Sequence, residues 1–202
     1  MLTAFVAQQD RLERTEWSGG PLPPRAVWLD LSHPTREEES AVETYLGLEV
    51  PTREDMLEIE ASSRVYREGD ALFMTAILLS KTDTDSPEAT PVSFILANGT
   101  LVTIRYSEPR SISTFIARCQ RTAGGFLSGE NAMVGLLEAI VDRTADILEH
   151  VGLEMEALTR EVLAHQPRPP PAQIQTQREH EQRGGAEAVR QHAQEHGDRD
   201  DG

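Results

Sequence analysis

Residues 91–106, PVSFILANGTLVTIRY, read as two β-strands, Val92–Leu96 and Leu101–Tyr106, joined at Asn98-Gly99. Asn-Gly between apolar runs suits a tight hairpin, whose two turn residues both need positive φ. Immediately upstream, SRVYREGDALFMTAILLS places a Glu-Gly-Asp turn between two further β-rich arms, and Thr82–Ala89 follows as a polar, acidic loop. Nearer the start, Leu2–Ala7 is an apolar run able to pair with Arg11–Trp17, and AVWLDL from Ala26 to Leu31 reads as a buried strand after the Gly19-Gly20-Pro21 and Pro23-Pro24 breaks. Strands that follow one another through hairpins predict a mainly antiparallel or mixed sheet rather than a doubly wound parallel one.

The helices announce themselves by caps and period. Thr35 with Glu38 three residues later forms a capping box, and Val42, Tyr45 and Leu46 give an apolar stripe closed by Gly47, so a helix is expected over about 36–46. PTREDMLEIE repeats the device with Thr52 and Asp55. Met56 and Ile59, with Leu57 as a third candidate, should face inward, which leaves Glu54, Asp55 and Glu58 toward solvent or a neighbouring surface. Past Glu108-Pro109, Ile112, Phe115, Ile116 and Cys119 define a helix ended by Gly124-Gly125. Glu130 to His165 contains no proline and reads as one helix of about 36 residues, about 54 Å long. Its stripe Met133, Leu137, Ile140, Thr144, Ile147, Val151, Met155, Leu158, Val162 is close to a coiled-coil seam, with one stutter after Val151. A helix that outruns its domain needs a second long helix to pack on, so self-association through Val151, Met155, Leu158 and Val162 is expected. Four prolines between Pro167 and Pro171 stop it.

Composition sets the limits of function. The 202 residues carry a net charge of −15, which argues against nucleic-acid binding and for cations as the charged partner. Residues 1–166 hold 14 basic against 27 acidic side chains, whereas 167–202 contain no aromatic residue and no leucine. Such a tail buries too little to offset its ordering entropy and is expected to be disordered. The lone Cys119 excludes an internal disulfide framework and fits a reducing compartment. MLTAFVAQQDR lacks the basic start of a signal peptide, and the longest apolar run, Ala71 to Leu79, is about half a membrane span. No direct membrane span is expected in this chain.

Few residues point to chemistry on their own. Glu54 and Glu58 lie one turn apart, and such like charges admit a cation without requiring one, solvated acidic surface being the commoner outcome. Asp55 serves equally as the N3 acid of its capped helix. Asp83, Asp85 and Glu88 have a calcium-like spacing but lack the glycine and terminal glutamate of an EF-hand loop. His150 and His165 are 15 residues apart, and His192 with His196 has no third ligand in a defined place, as a transition-metal site requires. Cys119 on an apolar face reads as a small core hydrophobe, the glycine pairs lack a phosphate-loop context, and no enzyme constellation emerges.

Several stretches taken together resemble the N-terminal cytoplasmic part of the CorA-like magnesium transporters: LTAF, VWLDLSHPTREEE, the LG of YLGLEVPTREDMLEIEAS with SRVYREGDALFM, VSFILANGTLVTIR, and SGENAMVGLLEAIVDRTADILEHVGLEMEALTREVL. The resemblance covers about residues 1–165. It implies an α/β fold, an α-β-α sandwich at 1–128, whose long helix over 129–166 begins a stalk in a five-subunit assembly, with 167–202 as a polar tail. By the same resemblance Asp55 matches an aspartate that binds regulatory magnesium between subunits, its partner aspartate lying on a distal stalk absent from this sequence, and Glu138 lies near a further acidic position linked to metal. For Glu138, an ion-pair ladder with Asp142 and Arg143 is an equal alternative. The metal candidates are therefore Asp55, Glu54, Glu58 and Glu138, with magnesium as a weakly held regulatory ion. The implied function is a cytoplasmic regulatory domain that senses magnesium at acidic subunit interfaces to gate a pore this chain does not contain; the complete protein would sit at the cytoplasmic face of the cell membrane. The Gly-Met-Asn pore motif and the two spans are missing, and residues from about Arg168 depart from a leucine-rich stalk, as a shifted reading frame would produce; a cut chain or a genuine polar terminus is the alternative. An independent acidic adaptor associating through its long helix is the competing function.

Overall fold

The computed structural model describes residues 1–84 and 86–165. The first strands are β1 (Leu2–Gln8), β2 (Arg11–Glu16) and β3 (Ala26–Ser32), followed by helices α1 (Arg36–Leu46) and α2 (Arg53–Glu58). Then come β4 (Val65–Glu68), β5 (Ala71–Ser80), β6 (Glu88–Ala97) and β7 (Thr100–Arg105), and helices α3 (Arg110–Arg121) and α4 (Gly129–His165). All seven strands join one sheet in the order β2-β1-β3-β7-β6-β5-β4. Every neighbouring pair is antiparallel except β3 with β7, where Trp28 lies beside Leu101 and Leu31 beside Ile104. The sheet is thus mixed, and its one parallel pair joins strands from distant parts of the chain.

Alternation along the central strands sends side chains into two cores. On one face Leu29, Leu31, Val102 and Ile104 meet Val42 and Leu46 of α1 and Met56 of α2. On the other, Trp28, Phe94 and Leu101 meet Ile112 and Phe115 of α3 and Leu136 of α4. Helix, sheet and helix form three layers, as the resemblance implies. Asn98 and Gly99, both at positive φ, make the turn between β6 and β7. Both capping boxes are formed: the Thr35 side chain accepts from Glu38 N–H and the Thr52 side chain from Asp55 N–H. Leu57 departs from its expected inward position. It is 63% exposed, because the short α2 buries only Met56 deeply.

Internal packing divides the chain into a unit Met1–Met155 and a second unit from Glu156, of which the last turns of α4 are described. The inward face of α4 is Ala132, Met133, Leu136 and Ala139, offset from the expected stripe of Met133, Leu137 and Ile140. Gly135 sets this rotation: a Cβ there would lie 2.3 Å from Phe126 Cε1 and 2.8 Å from Phe115 Cε2. The expectations for the tail, including His192 and His196, lie outside the described residues, as does Asp85.

Candidate functional site

α2 is positioned by two anchors. Met56 is buried beneath it, and the Arg53 guanidinium lies 5.2 Å from the centre of the Tyr106 ring at the end of β7. The helix therefore presents Glu54, Asp55 and Glu58 outward, all three exposed. Asp55 is tethered to its own helix cap. Its Oδ2 accepts from Thr52 Oγ1 at 2.7 Å and from Thr52 N–H at 3.0 Å, while Oδ1 has no hydrogen-bond partner among the described residues. Those bonds, the hydroxyl's first, hold the carboxyl below its usual range, so it is ionised at neutral pH. One oxygen is fixed and the other is free to accept from water or a hydrated cation.

Glu138 is not brought to this group. It lies on α4, on the opposite face of the sheet from α2, and pairs with Arg118 at 3.4 Å. Two carboxylates of the acidic loop have cationic partners: Asp83 accepts from Arg110 of α3 at 2.8 Å and from Arg143 of α4 at 3.1 Å, and Glu88 pairs with Lys81 at 2.6 Å. Asp83 and Glu88, two of the three carboxylates in that spacing, are thus each engaged by a cationic side chain. Among the described residues, no three His, Cys, Asp or Glu side chains converge on a point where a metal ion could be held. The donor set of α2 thus fits a hard cation held through its waters by one or two carboxylates, and does not fit an inner-sphere cage.

Two polar features were not read from the sequence. A cleft of about 860 Å³ lies between the β5–β6 loop and α4, lined by Leu79, Thr82, Asp83, Arg143, Ile147 and His150. Within it Asp83 pairs with Arg143 at 3.1 Å, and His150 Nε2 lies 3.2 Å from Glu154. The second is a buried network across the parallel strands. Trp28 Nε1 donates to Thr103 Oγ1, which donates to Asp30; Arg105 binds Asp30 through Nε and Nη2 and reaches the Ser107 carbonyl through Nη1. Glu108 closes it, paired with Arg105 and accepting from Ser32 Oγ at 2.8 Å. The available signal was a charged residue in each of two mainly apolar runs, Asp30 in VWLDL and Arg105 at the end of LVTIR. Cys119 is buried, and burial pushes its thiol up to about 12, which leaves no thiolate for chemistry. No helix among the described residues is long and apolar enough to cross a membrane.

Comparison with known proteins gives these features a family. The model of the CorA-like Mg2+ transporter protein family matches residues 25–180. The magnesium transport protein CorA of Salmonella typhimurium is 28% identical over 163 residues, covering 81% of this chain and 52% of its own length; that of Escherichia coli K12 is 27% identical with the same coverage. The chain thus spans about half the length of the curated relatives it matches. Among solved structures, the complete CorA magnesium transporter from Methanocaldococcus jannaschii superposes with a TM-score of 0.56 at 17% identity, over 83% of this chain and 53% of that one. The soluble domain of CorA from the same organism gives 0.51 at 20% identity, over 70% of this chain and 57% of that one, a likeness of fold. With the family model matching most of its length, and with the three-layer fold and long terminal helix in place, the chain belongs to the CorA-like Mg2+ transporter family.

Proposed function

We propose that this chain is the magnesium-sensing N-terminal part of a CorA-like transporter. In this reading Asp55, with Glu54 and Glu58 beside it, helps hold a hydrated magnesium ion at a boundary between subunits. α4 begins the stalk that passes the state of that boundary to a pore. The observation that carries it is the Asp55 carboxylate, exposed and ionised, with one oxygen fixed by Thr52 and one without a partner among the described residues. The ion would contribute charge neutralisation between acidic surfaces, and this chain's residues would contribute orientation. Its control of the pore is linkage: magnesium that binds the symmetric closed arrangement more tightly than the loosened one shifts the equilibrium toward closure by that difference. Glu138, on the far face of the sheet, takes part only if a neighbouring subunit brings its own carboxylates there. The assembly would be pentameric and the domain would lie on the cytoplasmic side of the membrane.

The test uses an assembly in which the stalk and membrane-spanning part of a full-length relative continues α4. Asp55→Ala should weaken magnesium-dependent closure measured as ion flux. It should alter domain stability by only about 0.3–1 kcal/mol, the scale of an acid at a helix start. Equal magnesium inhibition of both proteins would rule the reading out. The second reading, an adaptor associating through α4 without ion sensing, is favoured by the exposure of Val134, Val141 and Leu148 at intervals of seven along that helix. It predicts association indifferent to magnesium.

A further inference from the structure

α1 and α2 open with the same device. Thr35-Arg36-Glu37-Glu38 and Thr52-Arg53-Glu54-Asp55 each supply a capping threonine, an arginine at the first helical position and an acid at the third. The dipole disfavours a cation at a helix start, so each arginine needs a partner. Arg36 takes Glu39, three residues on, at 3.3 Å. In α2 the equivalent position is Met56, which is buried and committed to the core. Arg53 forms no ion pair among the described residues; its guanidinium lies over the Tyr106 ring instead, 5.2 Å from the centre.

That ring is itself fixed. Tyr106 is half-buried and packs against the core beneath α1 and α2. Its O–H donates to Glu39 Oε1 at 3.3 Å, the carboxylate whose other oxygen binds Arg36, and the His33 ring stands edge-on to it at 6.2 Å. Arg53 is followed by three exposed carboxylates, Glu54, Asp55 and Glu58. Asp55 folds its carboxylate back to Thr52, beside the turn from which Arg53 springs. Arg36 shows that an arginine at this position reaches an acid of its own helix. The Tyr106 ring is what Arg53 meets instead.

We propose that Tyr106 is a positioning residue that holds the Arg53 guanidinium off the α2 carboxylates, and so keeps that surface negative enough to attract a hydrated divalent cation. The inference rests on the reading of α2 as a cation-holding surface. Over the ring the guanidinium keeps its charge but makes no contact with the acids. Released from it, the same charge pairs with Asp55 or Glu54, and an arriving cation meets a neutralised surface. Arginine suits the place because its planar, weakly hydrated head stacks on a ring, whereas a lysine ammonium holds its water. The effect on cation attraction is about two- to fivefold, the equilibrium scale of an exposed ion pair.

The experiment uses manganese(II) as a paramagnetic probe on the full chain, reading how strongly it broadens the amide resonances of residues 54–58 at fixed ionic strength. Tyr106→Leu should reduce that broadening by about two- to fivefold. Tyr106→Phe, which keeps the ring, should retain it, and adding Arg53→Gln to Tyr106→Leu should restore it, since no guanidinium is left to compete. Arg53→Gln alone should change it less than it does in the Tyr106→Leu background, a coupling that a ring needed only for packing does not produce. Arg53→Lys leaves the packed ring untouched and should also reduce the broadening, which keeps the test open if Tyr106→Leu does not fold. The ring-current shift of the Arg53 side-chain protons, expected in the wild-type chain and in Tyr106→Phe, reads the placement without any metal. Broadening unchanged in Tyr106→Leu or Arg53→Lys, an equal effect of Arg53→Gln in both backgrounds, or Arg53 protons without a ring-current shift each overturns the proposal. Magnesium that fails to promote association of the wild-type chain defeats the sensing reading instead, and the manganese measurement still decides what Tyr106 does.

Discussion

Asp30 and Arg105 show what a single pair does for this fold. Both side chains are almost fully buried, 2% and 4% exposed, on β3 and β7, which pair in parallel. The guanidinium is kept protonated against its burial by Asp30 first and Glu108 second, and every one of its nitrogens has an acceptor. Removing one partner strands a buried charge, which costs about 3–5 kcal/mol, whereas replacing both by apolar residues of similar size is often nearly neutral. Asp30→Asn should therefore lose several kcal/mol in urea unfolding, and the Asp30→Leu, Arg105→Met double variant should lose much less; equal losses would show that the pair is not the source. Glu108 adds a pH dependence of known sign. Burial pushes its carboxyl up, but Arg105 and Ser32 outweigh that and hold it below its unfolded value of about 4.3. Its contribution is then complete above that value and is lost as pH falls through the lower folded one, so Glu108→Gln should flatten the acid limb of a stability profile measured below about pH 4.5. Cys119 should react with a disulfide reagent only as fast as the protein opens. The cysteine was legible as a core residue from its apolar helical neighbours, but the ion pair was not: its members lie 75 positions apart and meet only because β3 and β7 run side by side.

Among the elements, what local chemistry specifies was readable and what packing specifies was not. Asn98-Gly99 makes the turn because both residues accept positive φ, and the two capping boxes form from residues three apart. The exposed placement of Asp55 follows from the same local logic, and so that much of the candidate site could be read. That Glu138 stands across the sheet from it could not, since periodicity does not say which face of a sheet a helix covers. The rotation of α4 was also hidden. Glycine and alanine weigh little in a hydrophobic stripe, yet Ala132, Gly135 and Ala139 are buried on the inward face of α4, with Val134, Val141 and Leu148 turned outward. Two substitutions in one helix separate packing from propensity. Gly152→Ala meets nothing within 4 Å and should stabilise by up to about 1 kcal/mol through helix propensity alone. Gly135→Ala gains the same propensity but drives a methyl into the Phe126 and Phe115 rings, and should destabilise by about 1–3 kcal/mol net of that gain. Opposite shifts in urea midpoint are the expected readout, and a stabilised Gly135→Ala would refute the close approach.

At the scale of the molecule, two opposing forces govern whether copies meet. The outer residues of α4 at intervals of seven, Val134, Val141 and Leu148 with Val151 beside them, offer an apolar surface, while a net charge of −15 keeps copies apart. Added salt shortens the range of the repulsion, from about 30 Å at 0.01 M to about 10 Å at 0.1 M, and leaves the apolar attraction in place. Association should therefore rise with sodium chloride. Screening alone depends on ionic strength, whereas a magnesium ion shared between carboxylates of two copies adds a specific gain that ionic strength does not reproduce. At matched ionic strength, sedimentation should then show more association in magnesium chloride than in sodium chloride. Asp55→Asn should remove the excess in magnesium and leave the response to sodium unchanged, while Leu148→Glu should lower association in both salts. Should the two salts act alike in the wild-type chain, copies meet through α4 without a shared ion, and the adaptor reading replaces the sensing one.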